Sequence, residues 1–167
     1  MSLNDLFCKS GAQFSACNRY RYRLWRIWDE SRKPLVMVML NPSMANADQN
    51  DPTVERCQRR ALKMGFGGLR VVNIFALVST DPAALYQVDD PVGPDNDAAI
   101  LEAVRDAGMV ICAWGTHGAH VDRAREVVAL LRQAGVSPYC LAINGDKSPK
   151  HPLYIALKST PVAYELD

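Results

Sequence analysis

The sequence predicts an α/β protein. It should be a three-layer α/β/α sandwich with a mainly parallel central sheet and an antiparallel strand at the N-terminal edge. Three observations lead there. Four short apolar runs lie at 35–40, 69–76, 109–114 and 137–143. They lack polar alternation, as strands covered on both faces do. Amphipathic helical patterns separate them, which implies right-handed crossovers between parallel strands. Ahead of the first run, RYRYRLWRIW alternates strictly from Arg19, which marks a half-buried strand.

The elements follow in order. Residues 1–18 have weak periodicity and read as a loose arm. In the alternating strand, Arg19, Arg21 and Arg23 share one side and Tyr20, Tyr22 and Leu24 the other. Asp51 and Pro52 open a helix well, as a cap and a first-position proline. Its apolar stripe is Val54, Cys57, Ala61 and Met64, and Gly65 ends it. A second helix is expected at 95–107, stopped by Gly108. A third is expected at 121–134, with Val121, Ala124, Val128 and Leu131 inside and Gly135 as its stop. The tail from Asn144 reads as a loop followed by a short helix. A chain of 167 residues with no linker or repeat is expected to be one domain, 1–167.

Composition narrows the function. The chain is 49% hydrophobic and 22% charged, an ordinary globular balance. No apolar run approaches the roughly 20 residues that span a bilayer. The N-terminus MSLNDLFCKSGAQF lacks the plan of a signal peptide, so a cytoplasmic location without membrane contact is expected. Five scattered cysteines imply reduced thiols, with Cys112 and Cys140 in the core. No histidine and cysteine spacing suits zinc, and no cofactor motif occurs: there is no P-loop, GxGxxG or GxSxG. A net charge of +1 gives no strong field for nucleic acid, so any such binding needs a local patch.

The candidate site lies at the carboxyl ends of the apolar strands, where open parallel sheets bind ligands. The first run breaks into Asn41-Pro42-Ser43. The second carries Asn73 and Phe75, which as strand residues two apart would face the same way. The third ends in Trp114-Gly115-Thr116-His117-Gly118, and past the fourth come Lys147, Lys150 and His151-Pro152. Each has a plainer reading. Asn41-Pro42 is a common turn pair, Asn73 can be a satisfied core amide, Phe75 and Trp114 can be core, and His117 and His151 can be solvated. Taken together they supply what a small planar polar ligand needs: amides for its edge, an aromatic for its face and glycines for close approach.

Two resemblances accompany these residues. VMLNPS, DPTVERC, VVNIFAL, STDP, DPVGPDND, AWGTHG and HPLY, in that order, resemble a bacterial family labelled domain of unknown function 1643, from about Arg19 to Pro161. More distantly, the order strand–Asn-Pro, strand–Asn, Trp-Gly, His-Pro resembles the uracil-DNA glycosylase superfamily. The start Val38-Met39-Leu40, the residue Ser43 and the ending His-Pro-Leu-Tyr depart from that pattern. This second resemblance implies a glycosylase-like hydrolase acting on a base in DNA or on a nucleoside. Asn41 would position water, His151 would stabilise the leaving base, and Asn73 would read it. Pro42, Ser43, Phe75, Trp114, Gly115, His117 and Pro152 would complete the binding site. Arg19, Arg21, Arg23, Lys147 and Lys150 would form the basic surface that DNA requires; an edge strand made soluble by its charges explains the same arginines. The alternative is a module that binds a nucleobase, nucleoside or nucleotide without turning it over.

Overall fold

A computed structural model describes residues 9–166. One mixed sheet runs through it in the order β1-β2-β4-β3-β5-β6-β7. Its strands are β1 (Lys9–Phe14), β2 (Arg21–Ile27), β3 (Pro34–Met39), β4 (Gly68–Asn73), β5 (Met109–Cys112), β6 (Tyr139–Cys140) and β7 (Val162–Ala163). The four apolar runs became β3, β4, β5 and β6, and these are parallel to one another. The helices are α1 (Pro52–Lys63), α2 (Asn96–Val104) and α3 (Arg123–Gln133).

The strand β3 explains the three layers. All six of its residues are buried. Leu35, Met37 and Met39 pack with Val54, Cys57 and Ala61 of α1. Val36 and Val38 pack with Ile100 and Ala103 of α2 and with Val127 and Leu131 of α3. The two-residue period of a strand thus divides one apolar run between two helical layers.

Several expectations need correction. Of the expected loose arm, residues 1–8 lie outside the described residues, and the rest is not loose. Lys9–Phe14 is the antiparallel edge strand, so the arginine-rich strand β2 lies inside the sheet, between β1 and β4. The strict alternation of β2 also fails. The β1–β2 register shifts at Gln13/Phe14, as a bulge does, and so the facing of successive side chains slips there. Arg23 lines a recess against Ala103 of α2, whereas Arg21 turns to Ala45 and Asn73. Helix α2 stops at Val104, short of 107. Helix α3 begins only at Arg123, because Val121 and Asp122 are left-handed at φ 48° and 58°. Val121 is consequently 59% exposed rather than inside. The fourth parallel strand is two residues long, and β7, which has no hydrophobic pattern to announce it, closes the sheet beside it. The short helix of the tail is a 3-10 turn at Pro152–Tyr154.

Strand β4 ends at Asn73, and its end is held from behind. Asn96, fully buried at the start of α2, donates through Nδ2 to Asn73 O (2.8 Å) and Ile74 O (3.2 Å). Buried Arg123 donates to Ile74 O at 2.7 Å. Replacing Asn96 by alanine leaves the Asn73 carbonyl without that donor. We expect a loss of about 2 kcal/mol in denaturant unfolding, with the sheet retained by circular dichroism.

Candidate nucleobase pocket

The parallel strands run β4-β3-β5-β6 across the sheet. The chain thus winds outward from β3 in both directions, which places a switch point beside the carboxyl end of β3, where such folds form a crevice. Two cavities open there. One, of about 390 Å³, is lined by Asn41, Pro42 and Ser43 after β3, by Asn73 at the end of β4, and by His151. The other, of about 660 Å³, is lined by Trp114, Gly115 and His117 after β5 and by Lys150. Leu40, Pro82, His151 and Tyr154 border both.

The structure therefore gathers Asn41, Asn73 and His151 at one cavity. It does not bring every other candidate there. Phe75 is fully buried and packs in the α2–α3 core, because β4 has ended and strand alternation no longer carries it to Asn73's side. Trp114 is buried against Tyr164, with ring centroids 5.8 Å apart. His117 is exposed and pairs with the Tyr86 hydroxyl at 3.0 Å. Pro152 is buried at the start of the 3-10 turn and lines neither cavity. Lys147 is exposed and also lines neither. Arg19 is exposed over the Tyr20 ring. The five basic residues expected to meet DNA thus do not line one cavity.

Local chemistry fixes each pocket group. Asn41 Nδ2 donates to Ser79 O at 2.8 Å and Pro42 O at 3.2 Å, which ties the loop after β4 to the end of β3. Its Oδ1 accepts no hydrogen bond from the described residues. Asn73 is 2% exposed. Its Oδ1 lies 3.5 Å from Arg21 Nη2, and its Nδ2 donates to none of the described residues. His151 Nδ1 accepts the Leu153 N–H at 3.2 Å, so the neutral ring carries its proton on Nε2. Burial pushes the His151 pKa below its ordinary value, and the charge of Asp51 opposes this in part. In this state the ring offers the cavity a donor, not a cation.

The sequence alone does not place Asp51, Thr53 or Tyr154 at this cavity, and it puts Arg21 on a basic surface instead. Arg21 was assigned to the wrong side because alternation alone cannot reveal a bulge. It is 2% exposed and donates to Ala45 O at 3.0 Å. Arg26, also buried, reaches Asn46 O, Gln49 O and Asn50 Oδ1. Two arginines of β2 thus hold the polar loop that carries Ser43. Asp51 was read as a helix cap, and it is one: Oδ1 accepts Val54 N–H at 2.8 Å while Oδ2 accepts Ala45 N–H at 3.3 Å. Tyr154, 89% exposed at the shared rim, had its one signal in following His151-Pro152 so closely. Behind it, Arg56 and Arg60 of α1 donate to Ile155 O and fix the segment that bears His151.

A family model described as "Protein of unknown function (DUF1643)" matches residues 21–153. The chain belongs to this family. The match takes in β2 through the 3-10 turn, so every lining residue named above except Tyr154 falls inside the DUF1643 region. No curated protein and no solved structure is significantly similar to the chain. Resemblance of this DUF1643 protein to the uracil-DNA glycosylase superfamily therefore rests on the order of its motifs alone. Among the described residues no helix is long and apolar enough to cross a membrane, and no group of three or more His, Cys, Asp or Glu stands ready for a metal ion.

The depressed His151 pKa has a sign that can be tested. Above about pH 6.5 the ring is neutral in both folded and unfolded chains. Below it the unfolded chain takes up a proton that the folded site resists, so stability falls with pH. Proton uptake at Nδ1 would also displace the Leu153 N–H. The melting temperature of the wild type should thus drop more between pH 7.5 and 5.5 than that of His151→Gln; equal drops would refute the assignment.

Proposed function

We infer that the chain is a glycosylase-like hydrolase that acts on the N-glycosidic bond of a nucleoside or nucleotide in the strand-end cavity. The supporting observation is the convergence of Asn41 Oδ1, Asn73 Nδ2 and the Nε2–H of His151, none of them bonded within the described residues, on one cavity of about 390 Å³. That volume lies in the usual range for small-ligand sites, about 300–1,000 Å³.

The chemistry follows from the groups. The bond between base and sugar breaks with its electron pair going to the base. His151 Nε2–H donates to a base oxygen on which negative charge develops. Asn73 Nδ2 donates to an acceptor on the base edge. Asn41 Oδ1 accepts a hydrogen bond from water and orients it toward the sugar carbon; the water's oxygen forms the new bond and its proton passes to the departing base. An amide is a weak base, so bond breaking runs ahead of water attack. A free nucleoside or nucleotide suits the charges better than a base in DNA, since Arg21 is buried and Arg23 faces another recess.

One observation favours the alternative of a binding module. Both oxygens of Asp51, the carboxylate of this cavity, already accept backbone N–H groups. The experiment that separates them is incubation with nucleosides, nucleotides and base-modified oligonucleotides, followed by chromatography for free base. Release that disappears in Asn41→Ala and His151→Ala supports the hydrolase. Calorimetric binding without release supports the module, and release from oligonucleotides alone would move the substrate to DNA.

A further inference from the structure

Arg21 is a buried guanidinium in a cavity wall with no ion-pair partner among the described residues. Its bonds go to a carbonyl and, weakly, to an amide oxygen, and its Nε has no hydrogen-bond partner among the described residues. Burial lowers its pKa to about 10, which leaves it charged at neutral pH. A buried charge of this kind is costly until an opposite charge meets it.

The start of α1 adds a second attraction for negative charge. Pro52 has no N–H, the Val54 N–H is capped by Asp51 Oδ1, and the Glu55 N–H bonds to Asp51 O. Thr53 lines the cavity and keeps the one open N–H of that first turn among the described residues. The positive end of a twelve-residue helix thus opens beside Arg21. Asp51 lines the same wall and its charge partly favours the charged form of Arg21, but it forms no ion pair with Arg21, and its two oxygens accept the Val54 and Ala45 N–H groups.

We propose that this wall is an anion subsite, and that it takes the phosphate of a nucleotide between Arg21, the Thr53 N–H and the Ser43 hydroxyl. Asn73 joins the two halves of the ligand: its Oδ1 steadies Arg21 and its Nδ2 is left for the base. The inference rests on the nucleoside or nucleotide reading of the cavity and narrows its substrate to phosphorylated forms.

Calorimetry in phosphate-free, low-salt buffer tests it with the common ribonucleosides, their 5′-monophosphates, inorganic phosphate and acetate. Each monophosphate that binds should bind at least about tenfold more tightly than its nucleoside, as a charge-assisted contact implies, and phosphate should bind where acetate does not. In Arg21→Gln that ratio should fall to about one. If Arg21→Gln does not fold, Asn73→Asp supplies an internal counter-ion for Arg21 and should abolish the binding of inorganic phosphate, a readout that does not depend on the Asn73 contact to the base. Nucleosides binding as tightly as their monophosphates in the wild type would overturn the anion subsite and leave the nucleobase reading intact. Phosphate binding with no nucleoside binding would keep the subsite and sink the nucleobase reading. Binding of none of these would end both.

Discussion

Replacing His151 by alanine should lower the rate of base release by about a hundred- to a thousandfold, the usual effect of removing one donor to developing negative charge. The fold should survive. His151 also caps the 3-10 turn at Pro152–Tyr154 by accepting the Leu153 N–H, and loss of such a cap costs about 1 kcal/mol. The segment stays anchored through Arg56 and Arg60, which hold Ile155 O from α1. Single-turnover release should therefore fall far more than the melting temperature does. His151→Asn should regain part of the rate, because its amide retains a donor. Equal rates in wild type and His151→Ala, with both proteins folded, would take the histidine out of the chemistry.

Trp114→Ala should produce the reverse pattern: a large loss of stability from a residue that does no chemistry. Trp114 is buried just after β5, against Gly118 and edge-on to Tyr164. The backbone is shaped around its ring. A Cβ placed on Gly118 would meet Trp114 Cδ1 within van der Waals contact, and Gly115 takes the positive φ that leads the chain away. Removing the indole leaves a cavity these surroundings cannot close, at a cost of about 3–5 kcal/mol. In a chain of this size that is roughly 10 °C in melting temperature. Thermal unfolding of Trp114→Ala and Trp114→Phe should show the phenylalanine recovering much of the loss. Little change in either would mean that the ring does not support the core at the end of β5.

These residues also mark what the sequence made legible. The parallel strands were readable because runs such as LVMVML have no polar face, and only a sheet covered twice can use them. The cavity lining was partly legible because Asn41 and Asn73 are polar residues where apolar strands stop, and His151 follows in the polar tail past the fourth strand. What could not be read was local departure from periodicity. Arg21 was placed with Arg19 and Arg23 because alternation was carried through a register shift that depends on pairing with β1. Phe75 was placed beside Asn73 because β4 was extended past its last paired residue. Val121 was placed in the core because a valine with left-handed backbone runs against its own side-chain sterics. Strand β7 went unseen because two exposed residues carry no hydrophobic pattern. The pocket's cation was thus hidden by the same kind of irregularity that shapes the pocket.

A nucleobase-bearing ligand is expected to seat between Asn41, Asn73 and His151. Titration of ¹⁵N-labelled protein with nucleosides and nucleotides, followed by side-chain amide and imidazole resonances, tests this directly. A binding ligand should shift the Asn41 and Asn73 amides and the His151 ring, leaving Arg23 and the recess beside α2 unmoved. Shifts confined to that recess, or to the groove at Arg105–Tyr139 on the opposite rim of the sheet, would contradict it.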